Sequence, residues 1–293
     1  MGKKTMNEPN KSNEPSVIKV SVIQSKLKRY DKAYNLAKNL ELIEREACKE
    51  RSHIICIPNY FFQTGLETIP GQSTLEIAAL AKKYEVFIIG GMAESLHCGK
   101  GYNTAFIINP DGEILPFQRK THMIPMEAKK LSGGDEYLVM DIGLAKIGCV
   151  MCNDIFYPEA ARCVVLQGAE ILFVPSMIGG TGVYGMESVV KARAVENQVY
   201  LVNANGVPYE ISEEHPDLEM GGSGIYSPFL ENITLASAGR DEEVINALLD
   251  LDELRDLKAN TGLEACSLSE LAEGKAFNML VSRRTELYGK LLE

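Results

Sequence analysis

The sequence predicts an α/β layered fold: one domain with two sheets enclosed between helices. Three observations support this. Short β-branched runs alternate with longer helical stretches through the first ninety residues, two tight antiparallel turns follow, and no Gly/Ser linker or internal repeat divides the chain.

The elements read in order. Val17 to Ile23 is a strand. Lys32 to Glu50 is an amphipathic helix, with Ala33, Leu36, Ala37, Leu40 and Ile43 at helical spacing. Ile54 to Ile57 is a buried strand ending at Pro58, Ser73 to Tyr84 a second helix, and Val86 to Gly90 a third strand. Asn103 to Ile108 and Ile114 to Gln118 flank Pro110-Asp111-Gly112, a turn in which Pro sets one dihedral and Gly permits the other. Tyr137 to Asp141 and Ala145 to Met151 pair in the same way around Gly143. A helix from Pro158 to Gln167, a strand from Ile171 to Val174, a helix from about Tyr184 to Asn197 and a strand from Val199 to Asn203 come next. Gly224 to Tyr226, Ile233 to Ala236 and Glu243 to Leu251 read as closing strands. The organisation is therefore a disordered lead-in over 1–16, a globular domain over 17–252, and a charged helical extension over 253–293 without a clear core stripe. That extension would lie on the domain surface or at a dimer interface.

The 293 residues carry a formal net charge of -10, so there is no basic surplus to neutralise nucleic-acid phosphates or to seek an anionic membrane. No apolar run approaches the roughly 20 residues needed to cross a bilayer, and the polar N-terminus has no secretory core. Seven cysteines, an odd number with several in strand-like runs, suit a reducing cytoplasm better than a disulfide framework. Four histidines without HxH or HExxH spacing give no zinc signature.

The chemistry centres on Cys152, in Gly148-Cys149-Val150-Met151-Cys152-Asn153-Asp154-Ile155-Phe156-Tyr157-Pro158-Glu159. A buried strand ends here and Pro158 is suited to the first position of a helix. Backbone N–H groups at such an elbow are electropositive, favour a thiolate and can hold an oxyanion. The plain alternative is an inert core cysteine. Cys149 lies three residues before Cys152, on the opposite face of a strand, and reads as core rather than as half of a redox pair. Arg119-Lys120-Thr121-His122 follows a strand and precedes the irregular stretch Met123 to Glu136; Lys120 matters chemically only if it meets Cys152. Gly179-Gly180-Thr181-Gly182 lacks the Gly-Lys-Ser/Thr of a phosphate loop, and no helix follows Gly221-Gly222-Ser223-Gly224 to make a serine elbow. Arg193, Glu196 and Asn197 read as polar residues that fix a helix end against a sheet.

Three segments in this order resemble the nitrilase (carbon–nitrogen hydrolase) superfamily. They are Ile55-Cys56-Ile57-Pro58-Asn59, similar to the family's strand ending in Pro-Glu; Arg119-Lys120-Thr121-His122; and Cys152 to Glu159, similar to C-x-D-x-x-x-P-E. Supporting matches are Arg193 to Asn197, Val202-Asn203-Ala204-Asn205, and Gly222-Ser223-Gly224-Ile225 with Pro228. The resemblance covers about residues 17 to 252. It implies a four-layer αββα sandwich that forms a homodimer or larger homo-oligomer. It also implies hydrolysis of a small amide, carbamoyl compound or nitrile without a cofactor. Carried over, Cys152 attacks the carbonyl, Lys120 and the Asn153 N–H stabilise the oxyanion, and Glu127 matches the family's second glutamate. Asn153 and Phe156 at the elbow, and Ser176 and Met177 in the following loop, are the candidate substrate contacts.

The sequence departs from the family at Asn59, which stands where the general-base glutamate is expected. A carboxamide can neither take the thiol proton nor activate water at neutral pH. Three accounts follow: an exchange made to stall turnover, a natural loss that leaves a binding or assembly protein, or a working enzyme in which Glu127 is the base.

Overall fold

Strands with both faces covered are apolar without interruption, because neither face meets water. The computed structural model, which describes residues 16–28, 30–59, 65–96, 99, 101–209, 220–259 and 278–292, has such strands at its centre. The lead-in before Ser16, the Tyr60-Phe61-Phe62 run, His97, Cys98, His215 and Cys266 lie outside the described residues.

The chain order is β1 (Val17–Gln24), β2 (Lys26–Leu27), α1 (Lys32–Glu50), β3 (Ile54–Asn59), α2 (Gln72–Tyr84), β4 (Phe87–Ser95), β5 (Gly101–Ile108) and β6 (Ile114–Arg119). The short α3 (Pro125–Ala128) leads to β7 (Val139–Asp141) and β8 (Lys146–Cys149), and a 3-10 turn (Cys152–Phe156) precedes α4 (Pro158–Leu166). Then come β9 (Ile171–Ser176), α5 (Thr181–Asn197), β10 (Tyr200–Asn205), β11 (Val207–Pro208), β12 (Gly224–Tyr226), β13 (Thr234–Ser237), β14 (Glu243–Asp250) and α6 (Leu251–Ala259).

Two six-stranded sheets result, ordered β14-β1-β3-β4-β5-β6 and β13-β12-β10-β9-β8-β7, with a two-stranded β2–β11 ribbon beside them. Read from β14 and from β7, both sheets have the same sequence of pairings: antiparallel, parallel, parallel, antiparallel, antiparallel. This architectural duplication leaves no trace as a sequence repeat.

Alternation along the strands divides the apolar residues among three interfaces. Ile54 and Cys56 face inward with Val22, Ile89, Ile147, Cys149, Phe173 and Val202, between the sheets. Ile55 and Ile57 face outward onto Leu36, Leu42 and Ile43 of α1 and Ile77 and Ala81 of α2. Val150, Leu172, Val174 and Leu201 pack under Val164 of α4 and Val190 and Ala194 of α5. The order helix, sheet, sheet, helix is the expected αββα sandwich.

Several local expectations need correction. The buried face of α1 keeps Leu36 and Ile43 but leaves Ala33 and Ala37 exposed, and instead carries Asn35, Asn39, Leu42 and Glu46. These polar groups can be buried because each is paired: Asn35 with the Lys28 backbone, Asn39 with Ser25, and Glu46 with Ser21. The third strand does not stop at Gly90 but runs on to Ser95. Gly90 is required for packing, since a Cβ there would sit 2.5 Å from Ile57 Cγ1 and 2.9 Å from Phe106 Cζ. Helix α5 begins at Thr181 rather than near Tyr184, and the stretch after His122 contains α3. Helix α6, which spans the end of the domain and the start of the extension, buries Leu251, Leu254 and Leu257.

Gly148 shows how close helix and sheet lie. A Cβ there would fall 2.0 Å from Val164 Cγ1. Gly148→Ala should therefore push α4 away from β8 and destabilise the fold by about 1–3 kcal/mol, read as a lowered urea midpoint at unchanged slope. An unchanged midpoint would contradict this packing.

Candidate active site

In open parallel sheets, ligand groups collect beyond the carboxyl ends of the strands. Here β3 ends at Asn59, β8 at Cys149, β9 at Ser176 and β10 at Asn205. These ends converge, because Gly91, the cross-strand partner of Asn59, fits between Asn59 and the residue before the cysteine. A Cβ on Gly91 would lie 2.8 Å from Met151 Cε and 3.0 Å from Asn59 Cβ and Cγ.

The elbow itself is under backbone strain. Cys152 has φ 50, a left-handed conformation that costs a non-glycine residue about 1–3 kcal/mol, and unlike Arg51, Glu85 and Gln198 it does not cap the end of an α-helix. Pro158 occupies the start of α4, as its fixed φ favours. Cys152 is 9% exposed and packs on the helix side of its sheet, whereas Cys149 is fully enclosed between the sheets. The two sulfurs thus belong to different cores.

Cys152 has two backbone N–H groups directed at it, from Met177 and Asn153. Its thiol pKa is nevertheless raised, first by burial, with Lys120 pulling it down and Glu127 pushing it back up. Desolvation outweighs Lys120 and the two N–H donors in setting the direction of this shift.

Lys120 is buried, and its Nζ donates to Glu127 Oε2 at 2.5 Å. The other Glu127 oxygen accepts from Asn103 Nδ2 at 3.3 Å, and Oε2 also accepts from the Ile124 N–H at 3.1 Å. Asn103 in turn fixes the Lys120 backbone, whose N–H donates to the Asn103 carbonyl at 2.8 Å. Asn59 is 1% exposed, and its Oδ1 has no hydrogen-bond partner among the described residues.

The lysine and cysteine segments are tied together by Asp154, whose importance the sequence reading missed. This buried carboxylate accepts from the N–H groups of Thr121, His122 and Met151 at 3.2, 2.7 and 3.2 Å, and from Thr121 Oγ1 at 3.0 Å. It lies 2.9 Å from His122 Nδ1, and the His122 ring stacks on Tyr157 at 3.7 Å. The available signal was the aspartate two residues after the cysteine in the quoted motif.

Other expected residues fall around this centre. Arg193 Nε donates to the Ile155 carbonyl at 3.1 Å and Nη2 reaches the Phe156 carbonyl at 3.5 Å, so α5 clamps the elbow. Phe156 is half-buried against the helix-side core. Ser176 Oγ donates to the Val174 carbonyl at 3.2 Å. Asn205 holds the loop beyond Ser176, accepting from the Ile178 N–H at 2.8 Å and donating to the carbonyls of Ile178 and Gly221 at 2.9 Å each.

The sandwich and this buried Cys–Lys–Glu neighbourhood coincide with a sequence match: residues 19–259 match the carbon-nitrogen hydrolase family. The chain belongs to that family. Its carbon–nitrogen hydrolase relatives include omega-amidase NIT2-A of Xenopus laevis, 32% identical over 245 residues that span 78% of this chain and 87% of that protein. Nit3 of Saccharomyces cerevisiae, a nitrilase-superfamily member, has the same fold, with a TM-score of 0.73, 25% identity, and coverage of 85% of this chain and 96% of Nit3. An amidase from Nesterenkonia sp. shares the fold at 20% identity, with a TM-score of 0.69 for a glutamate-to-glutamine mutant covering 87% of this chain and 97% of the amidase. That mutant carries the acetamide moiety of fluoroacetamide on its active-site cysteine, and a cysteine-to-alanine mutant of the same amidase is in complex with butyramide.

Proposed function

We propose that this chain is an amidase-type hydrolase of small amides in which Cys152 is the nucleophile, and in which turnover is restrained because Asn59 replaces the family's general base. The observation that carries the reading is the buried Lys120–Glu127 pair acting on a thiol held at a strained strand-to-helix elbow. The sulfur attacks the amide carbonyl, and Lys120 with the Asn153 N–H supports the oxyanion. Collapse of the tetrahedral species releases ammonia or an amine and leaves a thioester, which water cleaves to the acid. The butyramide held by the Nesterenkonia sp. amidase and the activity named for omega-amidase NIT2-A support a short primary amide as substrate.

Glu127 is a poor stand-in for the missing base. Lys120, Asn103 and the Ile124 N–H already occupy its oxygens, so its role here is to hold Lys120. The glutamate-to-glutamine amidase mutant with a loaded cysteine supports the idea that a neutral carboxamide still permits covalent chemistry on sulfur.

A second reading, a catalytically silent binding or assembly protein, draws on Asn59 Oδ1, which has no partner among the described residues and is an acceptor suited to a bound N–H donor. Cysteine usage supports a reducing, cytoplasmic setting, and the family habit supports a homo-oligomer.

Ammonia release from butyramide decides between the two readings. The first predicts a slow burst of about one ammonia per chain, faster at higher pH because the thiolate must form unaided, followed by much slower steady turnover. Cys152→Ala should abolish both phases. No release from amides, carbamoyl compounds or nitriles at any pH would establish the silent protein instead.

A further inference from the structure

At the edge of the second sheet opposite Cys152, where β8 and β9 begin, a cavity of about 420 Å³ opens between the β7–β8 turn, the end of α4 and α6. Leu144, Val165 and Leu280 give it an apolar wall, and Lys258 of α6 projects into its lining. An ammonium group has three N–H donors. Lys258 uses one on the Ala169 carbonyl at 2.8 Å and makes no ion pair with a carboxylate among the described residues.

Glu170 is the carboxylate that acts on it, and the oxygens of Glu170 are already engaged. Glu170, just before β9, is taken up by Arg255 Nε at 2.6 Å, Arg255 Nη2 at 3.4 Å and the Lys146 N–H at 2.8 Å. Asp141, at the end of β7, accepts from the Gly143 N–H at 3.0 Å. The rim thus carries Lys146, Arg255 and Lys258 with Glu170 and Asp141, and Arg255 also pairs with Asp252 at 3.9 Å. A half-buried cation without a counterion is costly, and an anionic ligand relieves that cost. The pKa of Lys258 shows the strain: burial pushes it down to about 8, with Glu170 opposing.

We infer that this cavity binds a small monocarboxylate, its anionic head paired with Lys258 and its short hydrocarbon tail against Leu144, Val165 and Leu280. One ammonium with no carboxylate ion pair among the described residues matches a monoanion better than a dianion, and the apolar wall has no use in holding phosphate.

Calorimetric titration of the full chain with butyrate tests this. At about pH 6.5 one saturable site per chain is expected, retained in Cys152→Ala and weakened at least about tenfold in Lys258→Met, which removes the cation but keeps the side-chain length. The sign with pH follows from the depressed pKa: the ammonium that binds the anion is present below about pH 8 and lost above it. Affinity should therefore fall about 30-fold between about pH 6.5 and about pH 9.5, and Lys258→Arg, which stays charged, should abolish most of that fall. The same Lys258→Arg profile serves if Lys258→Met fails to fold. Absence of a saturable site overturns the inference, as does its loss in Cys152→Ala or its persistence in Lys258→Met. Inorganic phosphate binding as tightly as butyrate would overturn the ligand class.

Discussion

Asn59→Glu should raise steady-state hydrolysis of a primary amide by about 10²–10⁴-fold, the usual worth of general acid–base help. Burial pushes the Cys152 thiol pKa above its ordinary value, which disfavours the thiolate. A carboxylate at the end of β3, beside Met151 and the elbow, supplies a proton acceptor for acylation and then a base for the water that cleaves the thioester. The gain should fall mainly in kcat, because substrate contacts do not change. The pH dependence should change too. Wild-type acylation climbs with pH as the thiolate forms, whereas the variant reaches its plateau once the new carboxylate is ionised. Ammonia release measured from about pH 6 to about pH 9 checks both features. An unchanged rate would mean that position 59 does not address the sulfur.

The second large effect concerns Lys120. Its side chain is enclosed and paired at 2.5 Å with an enclosed Glu127. Removing one member of such a pair leaves a buried, uncompensated charge, so Lys120→Met should cost about 3–5 kcal/mol of stability. It should also slow acylation by about 10²–10³-fold through loss of an oxyanion donor. Adding Glu127→Gln neutralises the stranded charge, keeps an acceptor oxygen for the Ile124 N–H, and offers an amide N–H to the Asn103 side-chain oxygen. The double variant should regain most of the lost stability in denaturant melts but none of the lost chemistry. Recovery of both, or of neither, would separate Lys120 from the role assigned to it.

The sequence carried much of this architecture because the governing signals are local. Ile54 to Ile57 is apolar on both faces and bounded by proline, and Pro158 marks a helix start directly after the cysteine, so the elbow could be placed without coordinates. The glycines of β4 misled for a physical reason: Gly90 and Gly91 look like a break, yet they are small because Ile57, Phe106, Met151 and Asn59 press on the strand. The α1 stripe was misplaced because hydrophobic periodicity ignores buried polar residues such as Asn35 and Glu46, whose partners lie elsewhere in the chain. The same limit hid Asp154, which acts through Thr121 and His122, more than thirty residues away. Lys120 and Glu127 could be nominated from the family motif. Their enclosure and mutual contact, and the N–H groups of Met177 and Asn153 turned toward Cys152, depend on tertiary packing.

The most direct measurement is intact-mass analysis of the wild-type chain during incubation with butyramide, followed by peptide mapping of the modified species. A sulfur that can be acylated but lacks a base to release its product should accumulate a butyryl group on Cys152, absent from Cys152→Ala and short-lived in Asn59→Glu. A chain that stays unmodified, or that takes up the acyl group at any other residue, would contradict the account.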